Sequence, residues 1–194
     1  MARCHIGTGG SYAGAGDQIQ PNGRWDVMDS KAKTGAPDGA EHILVRANKG
    51  QLAVGSPHLF KAAAHDTAGR FDFLTMAMAP RTGPPLHYHE EQDDTFYVLD
   101  GVLTVQAGEE IIDLEPGDFL SIPPGMAHTF DNVRNGEEVV LTINVMTPGG
   151  LFATIEDMAR VPDGPDHLDG LKAATKQHGT VIVGPPLRVT LGLE

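Results

Sequence analysis

The stretch that decides the fold is HYHEEQDDTFYVLDG, residues 87–101. In its second half an apolar run ends at Asp100-Gly101 and another apolar run, VLTVQA, follows. An Asp-Gly pair between two apolar runs predicts a β-hairpin. Because successive side chains of a strand point to opposite faces, His87 and His89 share one face and Tyr88 takes the other. The stretch therefore predicts antiparallel strands that carry two imidazoles on one side.

Similar short apolar runs recur on both sides of this hairpin. Turn pairs such as Pro116-Gly117 and Asn135-Gly136 separate them, which is typical of an all-β sandwich or barrel. Beyond the hairpin, strands are predicted at residues 41–47, 71–79, 109–114, 119–123, 127–133 and 138–146. Helical periodicity then predicts helices at residues 151–159 and 166–179, with Asp166 as N-cap and Gly179 past the second helix. Extended chain is predicted for residues 180–189.

These patterns predict one domain with two extensions. Residues 1–40 form an N-terminal arm, 41–147 the barrel, and 148–194 a C-terminal helical and extended segment packed on the barrel. The arm contains GTGGSYAGAG, residues 7–16, which resembles a nucleotide-binding loop. No strand precedes it and no Gly-Lys-Ser/Thr follows it, so a nucleotide site is not predicted.

Composition excludes several classes of partner. The formal net charge is −12, which argues against nucleic acid and anionic membrane surfaces as partners. No apolar run reaches the length of a membrane span, and the N-terminus lacks the apolar region of a secretory signal. Cys4 is the only cysteine, which fits a reducing compartment. A cytoplasmic location is therefore predicted.

The strand pattern also predicts a metal site. His128 lies on a later strand than His87 and His89, and Asp94 lies on the strand that follows them. If these faces meet inside a barrel, three imidazoles and one carboxylate converge; the alternatives are solvent-facing or hydrogen-bonded histidines. Neighbouring inward residues are candidates for contacting a substrate, with simple core packing as the alternative: Met76, Phe96, Val98 and Phe130.

The order of these residues resembles the cupin superfamily. In the first cupin motif, His87, His89 and Gly101 match, Asp94 stands in place of a glutamate, and Arg81 stands in place of the first glycine. The second motif matches at every fixed position, namely Gly117, Pro123, Gly125, His128 and Asn132. The resemblance implies a jelly-roll barrel. The fold alone does not determine the reaction.

Within the superfamily, the motifs and the tail ending in Gly184-Pro185-Pro186 resemble proteins related to quercetin 2,3-dioxygenases. This resemblance implies a dioxygenase that acts on a small aromatic, enol or polyketide-like molecule with O2, in which Asp94 accepts the substrate proton. It also implies a homodimer. The alternatives are a non-oxidative isomerase, cyclase or lyase that uses the metal as a Lewis acid, and a non-catalytic small-molecule-binding protein.

Three imidazoles and a carboxylate suit one divalent transition ion, namely Fe, Ni, Mn, Co, Cu or Zn, better than Ca or Mg. Asp94 is one methylene shorter than the glutamate of the motif, and its carboxylate reaches about 1.5 Å less far. Three arrangements therefore remain open. Asp94 binds the ion directly, binds it through water, or supports a site made of the three histidines alone.

Overall fold

A computed structural model describes residues 42–193, so the predicted arm at residues 1–40 lies outside the described residues. Within this range the chain forms eleven strands and three short helices. The strands are β1 (Gln51–Leu52), β2 (Leu59–Ala62), β3 (Asp72–Met78), β4 (Pro85–His89), β5 (Asp93–Asp100), β6 (Leu103–Ala107), β7 (Glu110–Leu114), β8 (Phe119–Ile122), β9 (His128–Asp131), β10 (Val140–Thr147) and β11 (Thr180–Pro186). The helices are α1 (Leu151–Met158), α2 (His167–Lys176) and α3 (Leu187–Thr190).

The strands form two antiparallel sheets. One sheet has the order β1-β2-β3-β10-β5-β8 and the other the order β11-β4-β9-β6-β7. Neighbours in a sheet that are distant in the chain, such as β3 and β10 or β4 and β9, are typical of a jelly roll. The predicted all-β jelly roll is confirmed.

The core lies between the two sheets and follows the alternation of side chains along each strand. Phe60, Leu74, Phe96, Val105 and Val140 are completely buried. Burying a side chain of this size stabilises the folded state by about 1.5–3 kcal/mol. The alternation that builds this core also turns the polar residues of β4, β5 and β9 inward, where they form the candidate site.

Helix α1 is attached to the first sheet by a buried carboxylate. Asp72, at the start of β3, is completely buried, and its Oδ2 accepts hydrogen bonds from the backbone N–H groups of Gly150 (2.7 Å) and Leu151 (2.6 Å). These N–H groups lie at the helix N-terminus, where they have no partner within the helix. The bonds attach α1 to β3, and residues of α1 form part of the wall of a cavity.

Two predictions for the ends of the barrel region are wrong. Residues 42–47 form no strand, and Ile43 and Leu44 are exposed, because no neighbouring strand pairs with them in the part of the chain that the structure describes. Residues 187–190 form α3 and not extended chain. There Leu187 is completely buried, and its anchoring fixes a turn that local sequence did not indicate.

The other helix predictions hold with one refinement. Helix α2 begins directly after Asp166, but the Asp166 side chain makes no capping hydrogen bond. Gly179 follows the helix with a φ of 70°, as expected for a glycine that ends a helix. No helix among residues 42–193 has the length and apolar character needed to cross a membrane.

The turn before β4 explains the departure at the first glycine of the motif. Arg81 has a φ of 60°, in the left-handed region that favours glycine. Two residues later, a Cβ added to Gly83 would lie 1.9 Å from the carbonyl oxygen of Phe130. Gly83 therefore permits β4 to approach β9 closely, which brings their histidines together.

Candidate metal centre

Strands β4 and β9 bring three histidines together. His87 and His89 share the inward face of β4, and His87 lies directly opposite His128 in the pairing of β4 with β9. The ring centroids are 4.5 Å apart for His87 and His128, 5.0 Å for His87 and His89, and 5.3 Å for His89 and His128. All three side chains are buried.

Asp94 reaches the same place from the opposite sheet. On β5 it points inward, whereas its neighbour Asp93 is exposed, as strand alternation predicts. Its Oδ2 lies 3.2 Å from Nε2 of His128 and 3.8 Å from Nε2 of His89. One nitrogen or oxygen from each of the four residues lies within 4.8 Å of the others. The structure thus brings together all four residues that the sequence nominated as ligands.

Each imidazole is held through its Nδ1 atom. Nδ1 of His87 lies 2.8 Å from the carbonyl oxygen of Pro85, and Nδ1 of His128 lies 2.9 Å from that of Met126. A carbonyl oxygen only accepts, so both Nδ1 atoms carry a proton, and in the neutral rings Nε2 carries a lone pair. Nδ1 of His89 bonds to the hydroxyl of Thr180 at 2.9 Å. The carbonyl contacts orient His87 and His128 and fix their tautomers, as is usual for metal-binding histidines, and the Thr180 hydroxyl orients His89.

The resulting arrangement suits a bound cation. With Nδ1 of His128 protonated, its neutral ring presents a lone pair to Asp94 Oδ2 at 3.2 Å, so two acceptors face each other. Nε2 of His89 is buried and has no hydrogen-bond partner among the described residues. A proton on His128 removes the first mismatch only, whereas one metal ion removes both. The donor set therefore fits a divalent transition ion.

The pKa values of His87 and Asp94 favour the protonation states that bind a cation. Burial, together with the neighbouring imidazoles of His128 and His89, lowers the pKa of His87 from 6.5 to about 3. Burial by itself raises the pKa of Asp94, but the imidazoles of His128 and His89 beside it outweigh this and hold the pKa of Asp94 well below its usual value. His87 is thus a neutral nitrogen donor and Asp94 an anion over the physiological range of pH.

A cavity of about 340 Å³ adjoins the four residues, and His87, His89 and Asp94 form part of its wall. This volume lies within the range of small-molecule sites. Most of the remaining wall is apolar and comes from both sheets and from α1, including Leu74, Met146, Leu151 and Ile155. Among the described residues that line the cavity, none is lysine, arginine or glutamate.

The four predicted substrate residues divide into two pairs. Met76 and Phe130 line the cavity, and the sequence prediction for them stays open. Phe96 and Val98 are completely buried in the core and do not line it. Their inward direction was predicted correctly, but both side chains pack in the core and not in the cavity wall.

Sequence reasoning missed two polar residues that contact the cluster. Asn144, on β10, donates from Nδ2 to Asp94 Oδ1 at 2.5 Å, and Thr180 holds His89 from β11. The signal for Asn144 was available, because an amide at an inward position of an apolar strand requires a partner. Thr180 carried no such local signal, since 91 positions separate it from His89.

Comparisons with known proteins found similarities over parts of the chain. Residues 74–145 match the family model described as cupin domain. Quercetin 2,3-dioxygenase of Bacillus subtilis (strain 168) is 32% identical over 130 residues, which cover 64% of this chain and 37% of that protein. Oxidoreductase iacF of Pestalotiopsis fici is 41% identical over 63 residues, 31% of each chain. The structure of KdgF from Halomonas sp. aligns with a TM-score of 0.42 at 22% identity, covering 48% of this chain and 78% of the other. The chain spans about a third of the length of the two curated relatives.

Proposed function

The chain carries a cupin domain at residues 74–145, and from this premise we propose that it is a metal-dependent dioxygenase acting on a small neutral aromatic or enol molecule. The observation that carries the proposal is the cluster of His87, His89, His128 and Asp94 at the wall of an apolar cavity. The resemblance to quercetin 2,3-dioxygenase supports the oxidative reaction, and the oxidoreductase resemblance is consistent with it.

The cavity wall supports a neutral substrate. A carboxylate or phosphate group needs arginine, lysine or several converging N–H groups for its charge. The described lining offers no arginine or lysine, and Asp94 already contributes a negative charge. Methionine side chains at Met76, Met78, Met146 and Met158 provide adaptable apolar contacts for a flat or irregular ring system.

His87, His89 and His128 would hold one divalent transition ion, with Asp94 as the fourth ligand. When bound, such an ion supplies Lewis acidity that lowers the pKa of a substrate hydroxyl. Asp94 is ionised, so it can receive the hydroxyl proton. Because its pKa is strongly lowered, Asp94 would hold this proton only transiently. Its lasting role would be to bind the metal ion and to balance the positive charge of that ion.

The test combines elemental analysis of the purified protein with O2 uptake on a panel of flavonols and related enols. We expect about one transition ion per chain and O2 consumption that accompanies loss of substrate. The double variant His87→Ala/His128→Ala should lose both the metal and the activity. The matched control is His65→Ala, which removes an exposed imidazole outside the cluster. Oxidation that survives in the double variant would disprove the metal mechanism, and turnover without O2 consumption would replace the dioxygenase with a non-oxidative cupin enzyme.

A homodimer in the cytoplasm belongs to the same proposal. Apolar side chains stand exposed on the neighbouring strands β5, β8 and β10, and they include Tyr97, Leu99, Phe119 and Leu141. Phe119 is 66% exposed and lies opposite Tyr97 on the neighbouring strand, and exposed apolar side chains that form a continuous patch mark interaction sites. Light scattering should report twice the chain mass for the wild type and a lower mass for Phe119→Lys. A wild-type mass of one chain would contradict the dimer.

A further inference from the structure

Asn144 occupies an inward position of β10 beside Asp94 and is 2% exposed. Its Nδ2 donates to Asp94 Oδ1 at 2.5 Å and lies 3.2 Å from the carbonyl oxygen of Thr95. Both partners accept hydrogen bonds and a carbonyl group cannot donate, so the amide nitrogen must face them. The orientation of the Asn144 amide is therefore fixed by its surroundings.

This orientation leaves the amide oxygen without a partner. Oδ1 of Asn144 is buried and accepts no hydrogen bond from the described residues, and Asn144 is one of the residues that line the cavity. A buried acceptor without a donor is unfavourable, and native structures rarely leave one unsatisfied. Asn144, a residue of the cavity wall, thus carries an acceptor without a partner beside Asp94, in a wall that is otherwise mostly apolar.

We propose that Asn144 Oδ1 accepts a hydrogen bond from the ligand, and that the site selects neutral aromatic or enol molecules that carry a second hydroxyl group adjacent to the oxygen facing the histidines. This inference rests on the proposed function, because it assigns the substrate class of the same site. Asn144 has two roles in it. Its N–H2 group holds Asp94 in place, and its carbonyl oxygen accepts a hydrogen bond from the second hydroxyl group of the substrate.

The neighbouring residue Thr142 supplies a matched control. It lies on the same inward face of β10, is completely buried, and its hydroxyl has no partner among the described residues. Unlike Asn144, Thr142 does not line the cavity. Thr142→Val and Asn144→Leu therefore each remove a buried polar group from the same strand at nearly constant volume, but only the second removes an acceptor from the cavity wall.

The experiment measures the affinity of the Co2+-loaded protein for catechol and for phenol, which lacks the second hydroxyl group. Calorimetry gives both affinities, and the visible absorption of Co2+ reports whether each probe binds beside the metal. The wild type should prefer catechol, and Asn144→Leu should reduce the catechol-to-phenol affinity ratio by about tenfold, the value of about one net hydrogen bond. Thr142→Val should keep the wild-type ratio. Comparing ratios within each protein cancels any general loss of affinity that follows from releasing Asp94.

If Asn144→Leu changes the catechol-to-phenol affinity ratio by less than about twofold, the inference is overturned. A change of that size is no larger than the deviation from additivity seen for groups that do not interact. In that case the proposed function stands if both probes still perturb the Co2+ spectrum. Failure of the wild type to retain Co2+, or a spectrum unaffected by catechol, overturns both proposals. If Asn144→Leu does not fold or does not bind the metal, a crystal structure of the wild type with catechol tests the inference. A hydroxyl oxygen within about 3.2 Å of Oδ1 supports the inference, and one beyond hydrogen-bond distance overturns it.

Discussion

Replacing His87 with asparagine should make the metal-free protein less sensitive to acid. His87 is buried beside two other imidazoles, and its pKa falls from 6.5 to about 3. The native state therefore resists protonation at this position, whereas the unfolded chain takes up the proton normally. Acid then favours the unfolded chain, because that state binds more protons.

The pH window follows from the two pKa values. Above 6.5 the imidazole is neutral in both states and costs nothing. Stability falls as the pH drops from 6.5 towards about 3, and the loss levels off below that value because the native state also binds the proton. The slope inside the window is about 1.4 kcal/mol per pH unit, so His87 removes about 3 kcal/mol of stability between neutral pH and about pH 4.5. Asp94 adds a further loss of stability only below its ordinary pKa of 3.8. There the unfolded chain takes up the proton, whereas the native state, in which the pKa of Asp94 is lowered, does not.

Urea unfolding of the metal-free protein at neutral pH and at about pH 4.5 measures this difference. His87→Asn should show a smaller loss of unfolding free energy between the two conditions than the wild type, by about 3 kcal/mol. The two pH values are compared within each protein, so the stability that His87→Asn loses through poorer packing cancels from the difference. His65→Asn, an exposed position, should behave as the wild type does. Equal pH dependence in the wild type and His87→Asn would refute the reasoning.

Three further substitutions test a candidate ligand, a residue that holds a candidate ligand, and a buried ion pair. Asp94→Glu should change metal retention or turnover, since the extra methylene moves the carboxylate by about 1.5 Å; unchanged metal content and rate would place Asp94 outside the site. Thr180→Val should weaken metal affinity about tenfold in a competition with a chelator, because His89 loses its Nδ1 partner; equal affinity would contradict that role. Arg188→Ala should lower the unfolding free energy by about 2 kcal/mol, because the completely buried Asp131 loses its cationic partner at 3.1 Å. An unchanged urea midpoint would show that the pair adds nothing to stability.

Strand alternation predicted which candidate ligands share a face, and the resemblance to the cupin motifs predicted that these faces meet. The alternation of side chains along a strand placed His87 and His89 together and separated Asp94 from Asp93, and the structure has both arrangements. The same rule gave the inward direction of Phe96, but it could not tell how deep between the sheets that residue lies. Depth depends on how the two sheets close over one another, which no single strand encodes.

Predictions failed where a partner distant in the chain decides the structure. The apolar run at residues 43–45 suits a strand, but β propensity is realised only when a neighbouring strand pairs with it. The chain at Leu187 turns into α3 because Leu187 reaches the core and Arg188 bonds to Asp131, 57 positions earlier. The contacts of Asn144 with Asp94 and of Thr180 with His89 span 50 and 91 positions.

The C-terminal segment is part of the candidate site and not only a support for the barrel. The cupin match ends at residue 145, but β11 pairs with the ligand strand β4, with Thr180 opposite His89 and Ile182 opposite His87. Without β11, β4 would be an edge strand, and an edge strand has unpaired backbone groups and a weakly fixed register. A shift of one residue would turn His87 and His89 away from Asp94. The register of the candidate metal ligands on β4 is thus fixed from two sides, by β9, which belongs to the second motif, and by β11, which lies outside the motifs.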